Sequence, residues 1–211
     1  MHRVSDRLWS KTSATILIME NNSLKNKEMG GHGNTGRYSG VAISLHWMIA
    51  MMVLLLVILG LTMTDIPRGT PERSMYYNFH KSVGLTVGIL MLVRLWWRWR
   101  CPPPPLPTDM PRWQVVSSKI SHGLLYACLF IMPLSGFAAT QFTKWGLKYF
   151  GLFKIPPMAF VDKSIYKILQ EIHQISGWLL MFLITIHILA AIKHSIFDEN
   201  KIMQRIVIPK D

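Results

Sequence analysis

The chain has 211 residues, half of them hydrophobic and only 16% charged, where a soluble domain of this size carries about a quarter charged residues. The deficit coincides with long apolar runs, which excludes an ordinary soluble globule and sets a membrane class. Net charge is +12, but the basic residues lie between apolar spans and form no compact polar domain or Lys/Arg-rich arm, so nucleic-acid binding is excluded and the charge is assigned to span orientation and anionic lipid.

Residues 1–40 are polar and mixed, and read as a disordered cytoplasmic tail in which Met19 and Met29 are alternative starts. The apolar piece Ala14 to Met19 is too short for the core of a signal peptide. A first span is expected over 41–63, long enough to match a hydrocarbon layer of roughly 30 Å. A second follows over 79–97 and ends in Arg94-Leu-Trp-Trp-Arg-Trp-Arg100, an interfacial girdle of aromatic and basic side chains. The proline run Pro102 to Pro105 stops that helix and forms a stiff linker.

A third span is expected over 116–139, kinked or ended by Pro133. The connection 140–170 is rich in Trp, Phe and Lys and leaves room for an interfacial helix, without the periodicity that would specify one. The fourth span covers 172–192, and 193–211 forms a short cytoplasmic C-terminal tail. The fold class is therefore an all-α membrane protein, a four-transmembrane-helix bundle.

The two tails and the 98–115 connection hold the majority of the Lys and Arg, which places both termini in the cytoplasm. Lys144, Lys148, Lys154, Lys163 and Lys167 in the long outer loop run against that bias. Cys101 and Cys128 lie at different depths, which disfavours a disulfide. No CxxC or CxxCH occurs, so any haem is held by ligation and packing alone.

Six histidines lie in or beside the spans: His46, His80, His122, His173, His187 and His194. Ionisable residues in a bilayer are costly and signal function. His46 opens the first span on the cytoplasmic side, whereas His80 and His173 open the second and fourth on the outer side. His187 follows His173 by 14 residues, a rise of about 21 Å with a rotation of about 40°. Both therefore share one helix face, one near each membrane surface. Two pairs result, His80 with His173 outside and His46 with His187 inside. Each meets the demand of a six-coordinate haem iron for an imidazole on either side of a flat macrocycle.

Zinc would need ligands clustered at one depth, and the outer level offers two histidines. Gly84, Gly88, Gly177 and Gly60 either admit the macrocycle or allow close helix packing. His122 and His194 lie near the inner pair; they replace one of its members as ligand, or bind a haem propionate or a quinone headgroup. Arg37, Arg94 and Lys193 at the same level pair with propionates or anchor span ends.

Several segments in order resemble one family: Ile43-Ser-Leu-His46-Trp47, Phe79-His80-Lys-Ser-Val-Gly84, Arg94, His122-Gly-Leu-Leu-Tyr126, Pro133-Leu-Ser-Gly136, Glu171-Ile-His173 and Ile186-His187. Together they are similar to the bacterial cytochromes b561. The resemblance implies an inner-membrane cytochrome with two non-covalent, bis-histidine haem b groups that exchanges electrons with the ubiquinone pool. For some relatives it implies oxidation of superoxide as one-electron donor at the periplasmic face. It leaves open a homodimer, or a role as haem b anchor of a larger dehydrogenase or hydrogenase. A haem-free four-helix scaffold or transporter is the reading from another class, but it lacks the inverted repeats and mid-membrane helix breaks of transporters.

Overall fold

A computed structural model describes residues 37–105, 110–157, 160–197 and residue 206. The tail expected over residues 1–40 thus lies outside the described residues as far as residue 36. The elements are α1 (Gly40–Thr62), α2 (Pro71–Arg100), α3 (Arg112–Gln141), β1 (Leu147–Tyr149), β2 (Phe153–Ile155) and α4 (Lys163–Phe197). All four helices are long and apolar enough to cross a membrane.

Three of the four helices begin where a side chain accepts orphan backbone N–H groups, whereas α3 starts behind Pro111 without a side-chain cap. Ser39 accepts from Ala42 N at 3.4 Å and Thr70 from Arg73 N at 3.3 Å, with Pro71 in the first turn of α2. Asp162 Oδ1 accepts from Ser164 N at 2.7 Å and Ile165 N at 3.0 Å. These caps lie outside the apolar stretches, and they explain why the helices outrun the expected spans. At 30 residues, α2 and α3 are about 45 Å long against a hydrocarbon core of about 30 Å. Their polar ends stand in the headgroup zone. The expected loop before His80 is therefore largely helix from Pro71 onward, and α4 continues past residue 192 to Phe197.

Pro133 neither ends α3 nor breaks its assignment, since the helix runs on to Gln141. Its ring instead faces Gly88 of α2, where an added Cβ would stand 3.1 Å from Pro133 Cβ. Gly177 of α4 faces the adjacent Met132 in the same way, at 3.4 Å. These two glycines serve close helix packing, the main source of association where lipid removes the hydrophobic driving force.

The core is a single apolar layer to which each helix gives two residues one turn apart: Ile49 and Val53, Val87 and Met91, Leu125 and Cys128, Leu180 and Leu183. Both cysteines are free. In backbone terms α1 packs on α2, α2 on α3 and α3 most extensively on α4, whereas α1 and α2 approach α4 far less closely.

The 140–170 connection forms no interfacial helix among its described residues. It folds into an antiparallel hairpin with Leu147 opposite Ile155, Lys148 opposite Lys154 and Tyr149 opposite Phe153. A polar stripe on α2, spaced by four residues, docks it. Asn78 Oδ1 accepts from Lys148 N at 3.3 Å, and Thr86 Oγ1 meets Tyr149 Oη at 2.9 Å. Between them Ser82, fully buried, donates to Asn78 O and Lys148 O and accepts from Phe150 N at 2.9 Å.

Candidate functional site

The antiparallel course of the helices puts His46 and His187 near the end where α1 begins and α4 finishes, the terminal end. His80 and His173 stand near the hairpin end. Their ring centroids are 6.5 Å apart for His46 and His187 and 6.2 Å for His80 and His173, with interplanar angles of 65° and 73°. Gly60, 14 residues after His46 on α1, is level with His80: an added Cβ there would stand 3.6 Å from His80 Cε1. The same 14-residue interval separates His187 from His173, so α1 and α4 both set the two levels about 21 Å apart. The buried apolar layer lies between them.

At the hairpin end, α3 presses against His173. An added Cβ at Gly136 would fall 3.0 Å from His173 Cε1 and 3.1 Å from Nδ1, tighter than most real contacts, so a side chain here would push the imidazole from its place. His173 Nδ1 lies 2.9 Å from Met132 O and 3.2 Å from Ser135 Oγ. A carbonyl only accepts, and Ser135 donates its own proton to Ile131 O at 2.7 Å. His173 Nδ1 therefore carries hydrogen, which leaves Nε2 with its lone pair. His80 has no such partner: its Nδ1 is buried without a hydrogen bond among the described residues. Gly84, one turn after His80, has nothing within 4 Å of an added Cβ.

At the terminal end, Arg94 Nη2 donates to His46 Nδ1 at 3.2 Å and its Nε to Tyr126 Oη at 3.1 Å. Its Nη1 is buried without a partner among the described residues. Arg98 stands over the same Tyr126 ring, 5.8 Å from the centroid. A small cavity opens beside Arg94, lined by Tyr38, Trp97, Arg98 and Tyr126.

His122 on α3 is 5.5 Å from His187, centroid to centroid, and its residue is exposed. His194 is half-buried, two helical turns beyond His187 on α4. Lys193 lies over the Trp113 ring at 5.6 Å, and Arg37 is exposed just ahead of α1. The structure thus gathers His46, His187, His122 and Arg94 into one group, with His194 on the same helix. Sequence reasoning missed the Met132 carbonyl, and it singled out Ser135 and Gly136 within a family-like segment without giving them a contact. Their signal was a Ser-Gly step after an in-helix proline, on a helix facing a histidine.

The family model for prokaryotic cytochrome b561 matches residues 37–208. This chain belongs to the prokaryotic cytochrome b561 family. It is 26% identical to Escherichia coli cytochrome b561 homolog 2 over 172 residues, covering 81% of this chain and 91% of the relative. Identity to cytochrome b561 homolog 1 of the same organism is 25%, covering 81% and 97%. The chain is also 26% identical to the probable superoxide oxidase CybB of Yersinia pestis, over 80% of this chain and 94% of the relative. As a cytochrome b561 it is a haem b-binding, multi-pass electron-transfer protein of the bacterial inner membrane. Four facing imidazoles with flanking glycines are a donor set that suits such a cofactor.

Proposed function

We propose that this cytochrome b561 binds two haem b groups, one between His80 and His173 and one between His46 and His187, and passes electrons from a periplasmic donor to ubiquinone. The carrying observation is the pair of imidazole couples at two depths. A metal between two imidazoles lies about 2 Å from each nitrogen, and with the ring radii this separates the centroids by roughly 6 Å, close to both couples. The helices that bear each couple are those whose backbones stand apart, α1 and α2 from α4. The α3–α4 contact is tight, and this favours His46 over His122 as the partner of His187. His122, Arg94 and His194 are then left for a propionate or a quinone headgroup, with Arg37 and Lys193 at the membrane surface.

When bound, haem b supplies one-electron chemistry at each level, and iron held on both sides keeps no open position for substrate. His173 and His187 span the distance on one helix, and the apolar layer keeps water from between them. Quinone reduction takes up two electrons and two protons, so two one-electron donations serve each quinol. His122, beside His187, would be the group to pass a proton from the cytoplasmic side.

CybB is named a probable superoxide oxidase, and the present chain spans nearly its whole length. Superoxide as donor would leave as dioxygen. The hairpin offers it a positive field: Lys148 and Lys154 are directly opposed across the strands and both exposed. Like charges facing each other cost stability, whereas positive fields raise the encounter rate of a small anion.

The purified chain is expected to hold two haems, to be reduced by generated superoxide and to be reoxidised by ubiquinone without a partner subunit. A visible spectrum with haem quantified per chain reads this directly, and a chain without haem ends the proposal. Replacing Lys144, Lys148 and Lys154 together by Gln is expected to slow reduction by superoxide several-fold at low salt. The difference should vanish near 1 M salt, where screening acts within about 3 Å. Equal rates at low salt remove the steering role.

A further inference from the structure

We infer that the two histidine levels are built with unequal electron affinity, so that Met132, Ser135 and Gly136 at the hairpin end and Arg94 at the terminal end direct electrons toward the terminal end. The inference rests on the dihaem reading above and names the residues that would set its direction.

At the hairpin end His173 Nδ1 gives its hydrogen to Met132 O at 2.9 Å and Ser135 Oγ at 3.2 Å. A ligand imidazole whose second nitrogen donates to a carbonyl becomes more basic at the coordinating nitrogen. It then favours the more positive, oxidised metal and lowers the potential of its level. Gly136 permits this by letting α3 lie against the ring, where a Cβ would stand 3.1 Å from Nδ1.

The terminal end has the reverse arrangement. Arg94 places a donor-only, permanently charged guanidinium 3.2 Å from His46 Nδ1. Positive charge this close to the level stabilises an added electron there by its field. Screening is weak there because Arg94 Nη1 is itself buried without a partner among the described residues. Arg98, stacked with Arg94 on Tyr126, adds to the same field.

The cations of the hairpin end work against the gradient. Lys148 and Lys154 are exposed and therefore screened by water. Lys81 follows His80, but its Nζ is directed to Gly146 O of the hairpin at 3.5 Å, and that carbonyl dipole partly offsets it. An electron leaving the donor, which is thereby oxidised by one equivalent, is held weakly at the first level and more strongly at the second. No bond forms or breaks in that passage.

Redox titration of the haem-loaded full chain in lipid nanodiscs, followed optically, tests this. The wild type is expected to titrate in two one-electron steps, the lower of which disappears in His173→Ala. Arg94→Gln should lower the upper midpoint alone, and Arg94→Lys should keep it high. Ser135→Ala should raise the lower midpoint alone, and Ser135→Thr should restore it. The gap narrows in each single variant and most in the double. If Arg94→Gln fails to bind haem, the Ser135 series still decides. A two-haem chain whose midpoints ignore Ser135→Ala, or whose lower step is the one that moves with Arg94, overturns the gradient and leaves the dihaem reading standing. A wild-type chain holding fewer than two haems overturns both.

Discussion

His173→Ala and His187→Ala, made separately, are each expected to lower bound haem from two per chain to one and to abolish electron transfer across the membrane. The two residues lie on one face of α4, about 21 Å apart, with Leu180 and Leu183 of the buried layer between them. Removing either imidazole leaves one side of its level without a ligand, while the other level keeps both of its rings and the packing around them. The effect should therefore be selective, with one spectral component lost and the other unmoved. His46→Ala should match His187→Ala. His122→Ala should keep both haems, even though His122 is nearer to His187, at 5.5 Å against 6.5 Å for His46. The tight α3–α4 contact leaves a flat macrocycle little room on that side. Full haem retention in both α4 variants would dismiss the ligand assignment, and haem loss in His122→Ala would transfer the inner ligand to α3.

The helix count and both histidine couples were legible because membranes make those signals strong. Apolar length marks a span, and a charged or polar ring inside one has to be accounted for. The 14-residue interval on α4 fixed the depth of two histidines at once, and alternating helix direction brought the others to the same depths. Helix ends were not legible from hydropathy, because Thr70-Pro71 and Asp162 start helices in polar surroundings where no apolar run announces them. The hairpin was missed for a related reason. Asn78, Ser82 and Thr86 read as three ordinary polar residues on a helix end, and only their shared face, met by Lys148, Phe150 and Tyr149, reveals a docking stripe.

The contacts that tune the site were hidden more deeply. Met132 acts through its carbonyl, which carries no sequence signature, and Gly136 acts by lacking a side chain. Arg94 was expected at the level of the inner pair, yet its partners, His46 and Tyr126, depend on rotamers that the pattern of residues does not specify. The glycines divide by position. Gly88 and Gly177 serve helix packing, whereas Gly60 and Gly136 lie against the outer imidazoles.

Gly146→Ala is expected to undock the hairpin and slow reduction by the periplasmic donor, with haem content at the terminal end unchanged. Gly146 has φ +66°, and an added Cβ would stand 2.6 Å from Ile155 O. A non-glycine residue in the left-handed region costs about 1–3 kcal/mol, and the clash adds to this because Ile155 is held in register opposite Leu147. Neither strand can yield without breaking the pairing. Once the hairpin lifts, Ser82 keeps Asn78 O but loses Lys148 O and Phe150 N as partners, about 0.5–1.5 kcal/mol for each hydrogen bond lost. Undocking also disperses the opposed lysines from above His80. Trypsin should then cleave at Lys148 and Lys154 much faster than in the wild type. Gly151→Ala is the control: its φ is +77°, but nothing lies within 4 Å of an added Cβ, so it carries backbone strain without the clash. If the two alanine variants resist trypsin equally and accept electrons equally fast, the close approach of Gly146 to Ile155 does not hold the hairpin, and docking must rest on the α2 stripe alone.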